Sequence, residues 1–415
     1  MQQSAMRRFA NVYILLFLAD AGLSLADELL VALPAAVPLL SSGRSALSLL
    51  VVVVSVVVYL CLGVDRRLPK RLLLPLVLFV FWGALAFWPL AALIDGSSLG
   101  LAAAAVQLLL GAGALGMARR GLLSEQPFRL PLFSWRNTLG FTAINLLLLP
   151  LSLAYVGLAI SAGFLEQQTA GFLRLSPLGI YMSERSYHHD AKMVRLAGMM
   201  HIGREDYYRD LAGSLATRGA IVLIEGVSDR DRLLENPFNY DRLAEILGLT
   251  SQETMLLDGI LIDLDHLDAA AQNVGRLDRP VIARADVDLN RFDPQTIEFL
   301  NMLGKTLFSG KSPREAFAGY NLWVKEHMTP ERIAGVMADI LDKRDAVVID
   351  GLERSLAHYD TVIIPWGAMH MPAIEAAVLQ LGFEPGETRE RLSLDFRTIP
   401  YGQLWRKLSG VPGEG

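Results

Sequence analysis

The sequence predicts a two-part protein: an all-α transmembrane bundle of about five helices, followed by an α/β (or α+β) domain with a central mixed sheet. The chain has 415 residues, of which 52% are hydrophobic, and its mean hydropathy of +0.36 is high for a soluble protein. The apolar excess ends near residue 163, and strand-like and helix-like patterns alternate after it. We therefore place the domain boundaries at residues 1–164 and 165–415.

Five apolar segments are candidates for crossing a bilayer, which requires about 20 residues of helix. Four of them have that length, Ala46–Val64, Leu72–Ile94, Leu99–Ala118 and Phe141–Phe164. The first segment, from about residue 11 to 40, contains Asp20, Asp27 and Glu28. We interpret it as one span followed by an interfacial piece, with the acids among lipid headgroups; the alternative is an ion or proton path.

Basic residues are concentrated in alternate loops of this region. They are Arg7 and Arg8 before the first span, Arg66, Arg67, Lys70 and Arg71 after the second, and Arg119, Arg120, Arg129 and Arg136 after the fourth. In the other two loops, Arg44 is the only basic residue. Since basic loops stay in the cytoplasm, five spans predict a plasma (inner) membrane protein whose chain after Phe164 is extracytoplasmic.

Charge and cysteine content exclude some classes of function. The net charge of -5 gives no indication of a nucleic-acid partner. The apolar segments make the lipid bilayer the first predicted partner. The single cysteine, Cys61, lies in an apolar run. A disulfide framework or a thiolate zinc site within one chain is therefore excluded.

The second domain reads as alternating strands and helices. A hairpin from Gly179 leads into a buried strand ending near Met200, and further strands are predicted in "AIVLIEG", "RPVIARADVDL", "TVIIPW" and "RLSLDFRTI". Helices are predicted at Gly203–Arg218, Tyr240–Leu247, Asp258–Asn273, from Pro294 to about Leu303, and at Pro330–Lys343, Asp345–His358 and Pro372–Leu381.

Two copies of one pattern, an apolar strand followed by G-x-x-H and a helix, indicate a site. They are Gly198 to His201 and Gly367 to His370. Glycine permits a tight turn and close backbone approach. Because ligands of open α/β sheets bind at the carboxyl ends of the strands, the two histidines are predicted to meet there.

Glu225 is the predicted third member of this site. It follows the aliphatic run "IVLI", where a carboxylate is costly unless it has a partner. Two imidazoles and a carboxylate form a common set of ligands for a divalent metal ion with open positions. We therefore predict a cleft in which His201, His370 and Glu225 bind such an ion; a base-and-electrophile pair is the alternative use of the two histidines.

Other polar residues have simpler interpretations. His188 and His189 are predicted in a solvated turn, and His266, His327 and His358 in helices as structural or exposed groups. Asp286 and Asp288 are either cleft residues or parts of a turn or helix cap.

From Gly179 to Ile399 the chain resembles the TraB/GumN/Tiki superfamily, which includes pheromone-shutdown proteins and is distantly similar to erythromycin esterases and the haem-binding ChaN. The motifs that match are "LAGMMH", "IVLIEG", "KRDAVVIDGLERSL", "VIIPWGAMH" and "AAVLQLGF". The match gives the signature positions to Gly198, His201, Glu225, Arg344, Gly367 and His370. Arg344-Asp345 departs from the usual Arg-Asn, and the glycine that usually follows the second histidine is missing.

The resemblance implies a membrane-tethered, metal-dependent peptidase with an extracytoplasmic peptide or protein substrate. It implies catalytic roles for His201, Glu225, His370 and Arg344, with Arg344 steadying an oxyanion, and close approach of a cofactor at Gly198 and Gly367. A plain surface arginine is the alternative for Arg344. Two other functions stay open: a non-catalytic module that binds a peptide signal or cofactor, and a transporter with an accessory outer domain.

Overall fold

A computed structural model of the chain describes residues 5–31, 38–94, 96–118, 123–235, 240, 244, 247–252, 255–267, 278–308, 313–402 and 406. The chain divides into two compact units, Met1–Gly163 and Phe164–Gly415.

The N-terminal unit is helical, as predicted. Its α-helices are α1 (Ala5–Val31), α2 (Pro38–Val64), α3 (Lys70–Ala84), α4 (Gly96–Met117) and most of α5 (Trp135–Gln168), with short 3-10 turns at Leu90–Ala92 and Gln126–Arg129. The last residues of α5, from Phe164, belong to the C-terminal unit. Among the described residues, four helices are long and apolar enough to cross a membrane: α1, α2, α4 and α5. We therefore treat this unit as the membrane-associated part of the chain.

The third predicted span, Leu72–Ile94, is not one continuous helix. Helix α3 ends at Ala84, and Ala86 and Phe87 adopt left-handed backbone conformations with φ of 51° and 54°. Its 15 residues extend about 22 Å, less than the roughly 30 Å of a hydrocarbon core. The rest of the segment, up to Ile94, continues as turns and a 3-10 helix.

Helix α1 packs antiparallel against both α2 and α4. Tyr13 is hydrogen-bonded to Ser55 of α2 at 2.9 Å, and Asp20 accepts hydrogen bonds from Ser48 of α2 at 2.6 Å and from Gln107 of α4 at 2.8 Å. These polar contacts satisfy groups that would be costly in lipid. Residue numbers rise along α1 as they fall along α2, which fixes the antiparallel direction.

Arg44 lies inside α2 and not in the loop predicted for it. Its guanidinium donates to Asp27 and to Glu28 of α1, both at 2.8 Å. Asp20 and Asp27 are buried. These acids therefore contact neighbouring helices rather than only the headgroups proposed from the sequence.

The basic segments of this unit meet at one end. Arg7 donates to the carbonyl of Leu123 at 2.7 Å, and the amide of Arg66 donates to the carbonyl of Leu132 at 3.0 Å. Asn137, in the first turn of α5, donates to the carbonyl of Gly63 at 2.8 Å. The start of α1, the end of α2 and the start of α5 thus share this end.

The C-terminal unit contains the predicted mixed sheet. Its order is β1-β2-β3-β9-β5-β8-β7, with β10 pairing β2. Strands β3, β9, β5, β8 and β7 are parallel, whereas β1, β2 and β10 join by antiparallel pairs. The strands are β1 (Leu173–Ser176), β2 (Gly179–His189), β3 (Lys192–Met199), β4 (Ile202–Gly203), β5 (Ile221–Ile224), β6 (Thr250–Ser251), β7 (Ile260–Asp263), β8 (Val281–Arg284), β9 (Thr361–Gly367) and β10 (Glu384–Asp395). Strands β4 and β6 form a separate two-stranded sheet.

The helices of this unit connect its strands along the chain. They are α6 (Glu205–Leu215), α7 (Pro294–Phe308), α8 (Pro313–His327), α9 (Pro330–Met337), α10 (Lys343–Leu356) and α11 (Met371–Gln380). A π-helical turn, Ala338–Asp342, joins α9 to α10, where two separate helices were predicted. The sequence did not predict α8.

The helix predicted at Asp258–Asn273 is wrong in its first half, because that segment forms β7 and a 3-10 turn at Leu264–His266. Residues 268–277 lie outside the described residues. Of the helix predicted at Tyr240–Leu247, only Tyr240, Ala244 and Leu247 are described, and all three are helical.

Strand β9 forms the centre of the core. Val362, Ile363, Ile364 and Trp366 are fully buried between β3 and β5. Burial of each such side chain stabilises the fold by about 1.5–3 kcal/mol. The carboxyl end of β9 is therefore held rigidly, and it carries Gly367 and the loop to His370.

Candidate functional site

The two G-x-x-H loops leave neighbouring parallel strands at the same edge of the sheet. Gly198 of β3 is in register with Trp366 of β9, and Met199 with Gly367. Strand β5, which precedes Glu225, lies on the other side of β9, and β8 follows it. The parallel arrangement thus brings four strand ends together, as ligand sites of open sheets require.

His370 forms a buried pair with Asp345. Its Nδ1 lies 2.6 Å from Oδ1 of Asp345, and its Nε2 lies 3.3 Å from Nη1 of Arg344. A carboxylate accepts and a guanidinium only donates. The contacts therefore select a neutral imidazole, in which Nδ1–H donates to Asp345 and Nε2 accepts from Arg344.

Arg344 is the centre of the cluster. Its Nε and Nη2 donate to the two oxygens of Asp286 at 3.0 and 2.7 Å, and Nη2 also donates to Glu225 at 2.7 Å. Burial alone would lower the pKa of Arg344, but the hydrogen bonds and charges of Asp286 and Glu225 outweigh it and raise that pKa above its usual value. Arg344 is thus a permanent buried cation and not a plain surface arginine.

Glu225 is held from two sides. Its Oε2 accepts the backbone N–H of Gly367 at 2.7 Å, and its Oε1 lies 3.9 Å from Nε2 of His370. A Cβ on Gly367 would lie 3.3 Å from Oε2 of Glu225, so glycine permits this close approach. The Glu225 side chain is only 5% exposed, while the backbone at Gly226 and Gly367 is partly exposed. The cluster therefore lies just beneath the surface at this edge.

His201 makes other contacts. Its Nδ1 lies 3.0 Å from Oε1 of Gln252, and its ring stacks on Tyr240 with centroids 4.5 Å apart. Strand β4 pairs Ile202 with Ser251, which draws the chain after β3 toward β6. Gly198 packs against Phe172 and accepts a hydrogen bond from Tyr207 through its carbonyl. The described contacts therefore join Glu225, Arg344, Gly367 and His370, but not His201 or Gly198.

No described contact brings His201 to His370 and Glu225, the three ligands that the sequence predicts for a divalent ion. In the part of the chain that the structure describes, no group of three or more His, Cys, Asp or Glu side chains is placed to hold a metal. The guanidinium of Arg344 takes the position that a cation would take between Glu225, Asp286 and His370. Metal ligation remains a prediction from sequence, and we derive no chemical step through it.

Of the other polar residues considered from the sequence, one belongs to the cluster and the rest lie elsewhere. Asp286 belongs to the cluster and also accepts the N–H of Gly226 at 2.8 Å. Asp288 instead orders a loop, accepting from Ser228 at 2.6 Å and from the amide of Asn290. His188, His189, His266 and His358 are exposed, and the ring of His327 stacks on Trp323.

Asp345 is the site residue that the sequence interpretation did not assign. It appeared only as the departure from Arg-Asn after Arg344. One turn of α10 carries both residues, so the helix that delivers the guanidinium also delivers the partner of Nδ1. A carboxylate directly after a buried arginine was the available signal.

Comparison of the chain with models of protein families, with curated proteins and with solved structures finds no match. The functional argument below therefore depends on the geometry of the cluster.

Proposed function

We propose that the C-terminal unit is a hydrolase of ester or amide bonds in a peptide or protein substrate, with its centre at His370, Arg344 and Glu225. The observation that supports this most is the Asp345–His370 pair beside a buried guanidinium at the carboxyl edge of the sheet. A carboxylate that fixes the tautomer of a histidine leaves Nε2 as a general base.

The proposed hydrolysis uses only water and side chains of this unit. When the 3.3 Å contact between Nε2 of His370 and Nη1 of Arg344 opens, Nε2 takes a proton from water as the water oxygen attacks the carbonyl carbon. Asp345 and Glu225 stabilise the imidazolium that forms, since Glu225 lies 3.9 Å from Nε2. Nη1 of Arg344, which binds neither carboxylate, donates to the oxyanion. The tetrahedral intermediate then collapses: the bond between the carbonyl carbon and the leaving oxygen or nitrogen breaks as the imidazolium protonates that atom, which releases an acid and an alcohol or amine and restores neutral His370.

We further propose that this unit faces the extracytoplasmic side of the plasma (inner) membrane. The basic segments meet at one end of the helical unit, and α5 starts there. The hydroxyl of Tyr155, five turns along α5, donates to the carbonyl of Trp88, which follows α3. Because basic segments stay inside, α5 runs outward.

Hydrolysis of a 4-nitrophenyl ester and of a peptide library by the full-length protein in detergent tests the function. We expect His370→Ala to lower kcat/KM by about 100-fold or more, because a general base contributes at least that factor. His189→Ala, a change of the same type at an exposed hairpin residue, is the matched control. His201→Ala tests the role that the sequence pattern gave to His201.

Three results would contradict the proposal: no turnover by the wild type, unchanged turnover in His370→Ala, or loss of turnover with a chelator. The last would support the metal-dependent alternative instead. Asp345→Asn should lower kcat and shift its pH profile, because the imidazolium loses a charged partner; Asp345 is a positioning residue.

One observation favours a binding module as a second candidate. Both oxygens of Asp286 and both oxygens of Glu225 already have partners within the chain. Such a saturated cluster is also typical of a rigid structural element beneath a binding surface. Ligand binding without turnover in the same assays would select this function.

A further inference from the structure

The C-terminal unit has a polar groove whose lining includes none of the residues of the His370 cluster. It has a volume of about 480 Å³ and is lined by Glu166, Arg174, Arg185, Tyr187, Glu375 and Glu390, among others. That volume lies within the roughly 300–1,000 Å³ of small-ligand sites. The hydrolase proposed above does not use this groove.

The carboxylates of the groove have oxygens to spare. Oε1 of Glu375 accepts from Arg185 at 2.8 Å and from Tyr187, whereas Oε2 has no hydrogen-bond partner among the described residues. Glu166 is exposed, and its carboxylate accepts no hydrogen bond from a described residue, although its charge helps to raise the pKa of Arg174 in the same groove. Free carboxylate oxygens favour a ligand that donates hydrogen bonds and carries positive charge.

Arg185 supplies the complementary charge. Its guanidinium donates to Glu375 and to the carbonyl of Ala170, and its Cζ lies 4.1 Å from the ring centroid of Phe172. These contacts fix its orientation, while some of its five N–H donors remain for an anion. Gly171 leaves room for the guanidinium, because a Cβ there would lie 2.9 Å from Nη2. The groove thus pairs free acceptors with a fixed cationic donor.

The position of Glu166 indicates where such a ligand would come from. Glu166 lies in the last turn of α5, and the apolar stretch of that helix ends at Phe164. Side chains just past the apolar end of a membrane helix lie at the level of the lipid headgroups. A headgroup with both a primary ammonium and a phosphate matches the free acceptors and donors.

The geometry points to this groove as a binding site for the phosphoethanolamine headgroup of a membrane lipid. The ammonium donates to Glu375 and Glu166, and the phosphate accepts from Arg185. A trimethylated ammonium has no N–H to donate, so the site discriminates against phosphocholine headgroups.

Native mass spectrometry of the full-length protein in detergent, titrated with phosphatidylethanolamine or phosphatidylcholine, tests the assignment. We expect the ethanolamine lipid to bind at least about tenfold more tightly, and Glu375→Gln to remove that preference, because hydrogen bonds to charged groups contribute at this scale. Glu166→Gln, at an exposed site, should weaken binding in the same direction. Glu353→Gln, an exposed carboxylate on α10, is the matched control.

Equal binding of the two lipids, or a preference that survives in both Glu375→Gln and Glu166→Gln, would overturn the site. Free ethanolamine binding as tightly as the lipid would assign a soluble amine and overturn the lipid source. Melting temperatures of the variants show whether each is folded.

Discussion

Short-range donors set the charge states of single residues in the C-terminal unit, and Asp395 is the clearest example. Its carboxylate accepts from the Arg397 side chain at 2.9 and 2.7 Å, from the Arg397 amide at 2.9 Å, and from Arg204 at 3.3 Å. The Arg397 side chain, and then its backbone N–H, hold the pKa of Asp395 down to about 2. The same bonds cap the 3-10 turn Phe396–Thr398 after β10.

The Asp395 carboxylate should contribute to the free energy of unfolding at neutral pH, and this contribution should be lost at strongly acidic pH. The pKa of an aspartate in an unfolded chain is about 3.9, so the stabilisation is complete above that pH and is lost as pH falls toward 2. We expect Asp395→Asn to lower the melting temperature of the protein in detergent at pH 7, and the difference from wild type to shrink as pH approaches 2. Asp278→Asn, at a side chain that is 82% exposed, should show no comparable effect. A difference as large at pH 2 as at pH 7 would refute this account of Asp395.

At the scale of elements, the start of β2 depends on a missing side chain. Gly179 pairs with Ser176 of β1 and Asp395 of β10, and a Cβ there would lie 1.9 Å from the carbonyl oxygen of Leu394. Only glycine allows the edge strand β10 to approach β2 this closely. The contact lies where the pairing of β10 with β2 ends, at the last residues of β10.

Gly179→Ala should therefore destabilise the unit by about 1–3 kcal/mol, the usual cost of overpacking. Gly213→Ala is the matched control, because nothing lies within 4 Å of a Cβ on this exposed residue of α6. That change should be neutral or stabilising by up to about 1 kcal/mol, because alanine favours helix. Urea titration of the protein in detergent measures both, and equal midpoints for the two variants would contradict the argument.

Elements with one dominant pattern were predictable from sequence, whereas elements with two competing patterns were not. Strand β9 follows from a continuous apolar run, and the hairpin of β2 and β3 from alternation. Ile260, Leu261 and Ile262 fit a strand, but Leu264 and Leu267 extend the same apolar spacing toward a helix. The parallel partner β8 decides for the strand, and no local signal reveals that partner.

The end of α3 was hidden for a different reason. Ala86 and Phe87 adopt positive φ although neither residue is a glycine, and Pro75 lies inside the helix, so the prolines of this apolar run do not mark where the helix ends. Composition therefore predicted a longer helix than the 15 residues observed.

At the scale of the whole molecule, we expect the two sides of the membrane to be separable by reporters. A periplasm-active alkaline phosphatase fused after Gly402 should be active, and the same reporter inserted after Arg67 should be inactive. The reason is the common end of the basic segments, since lysine and arginine remain in the cytoplasm. The reverse pattern would contradict the proposed orientation and, with it, an extracytoplasmic substrate.

The candidate site was predictable from the sequence only in part. The strands followed by G-x-x-H and by glutamate predicted which edge of the sheet carries the site, and His370 and Glu225 lie together at that edge. The separate position of His201 follows from the pairing of β4 with β6. This pairing joins Gly203 to Thr250, 47 positions later in the chain, and no local pattern encodes it. Asp345 contacts His370 only because α10 packs against β9 and α11.

The guanidinium at the centre of the cluster has a consequence for how the protein matures. Because Arg344 supplies positive charge from the chain itself, the carboxylates of Glu225 and Asp286 acquire a cationic partner as soon as the polypeptide has folded. Replacement of Arg344 by a neutral residue would therefore leave two buried carboxylates without a cationic partner.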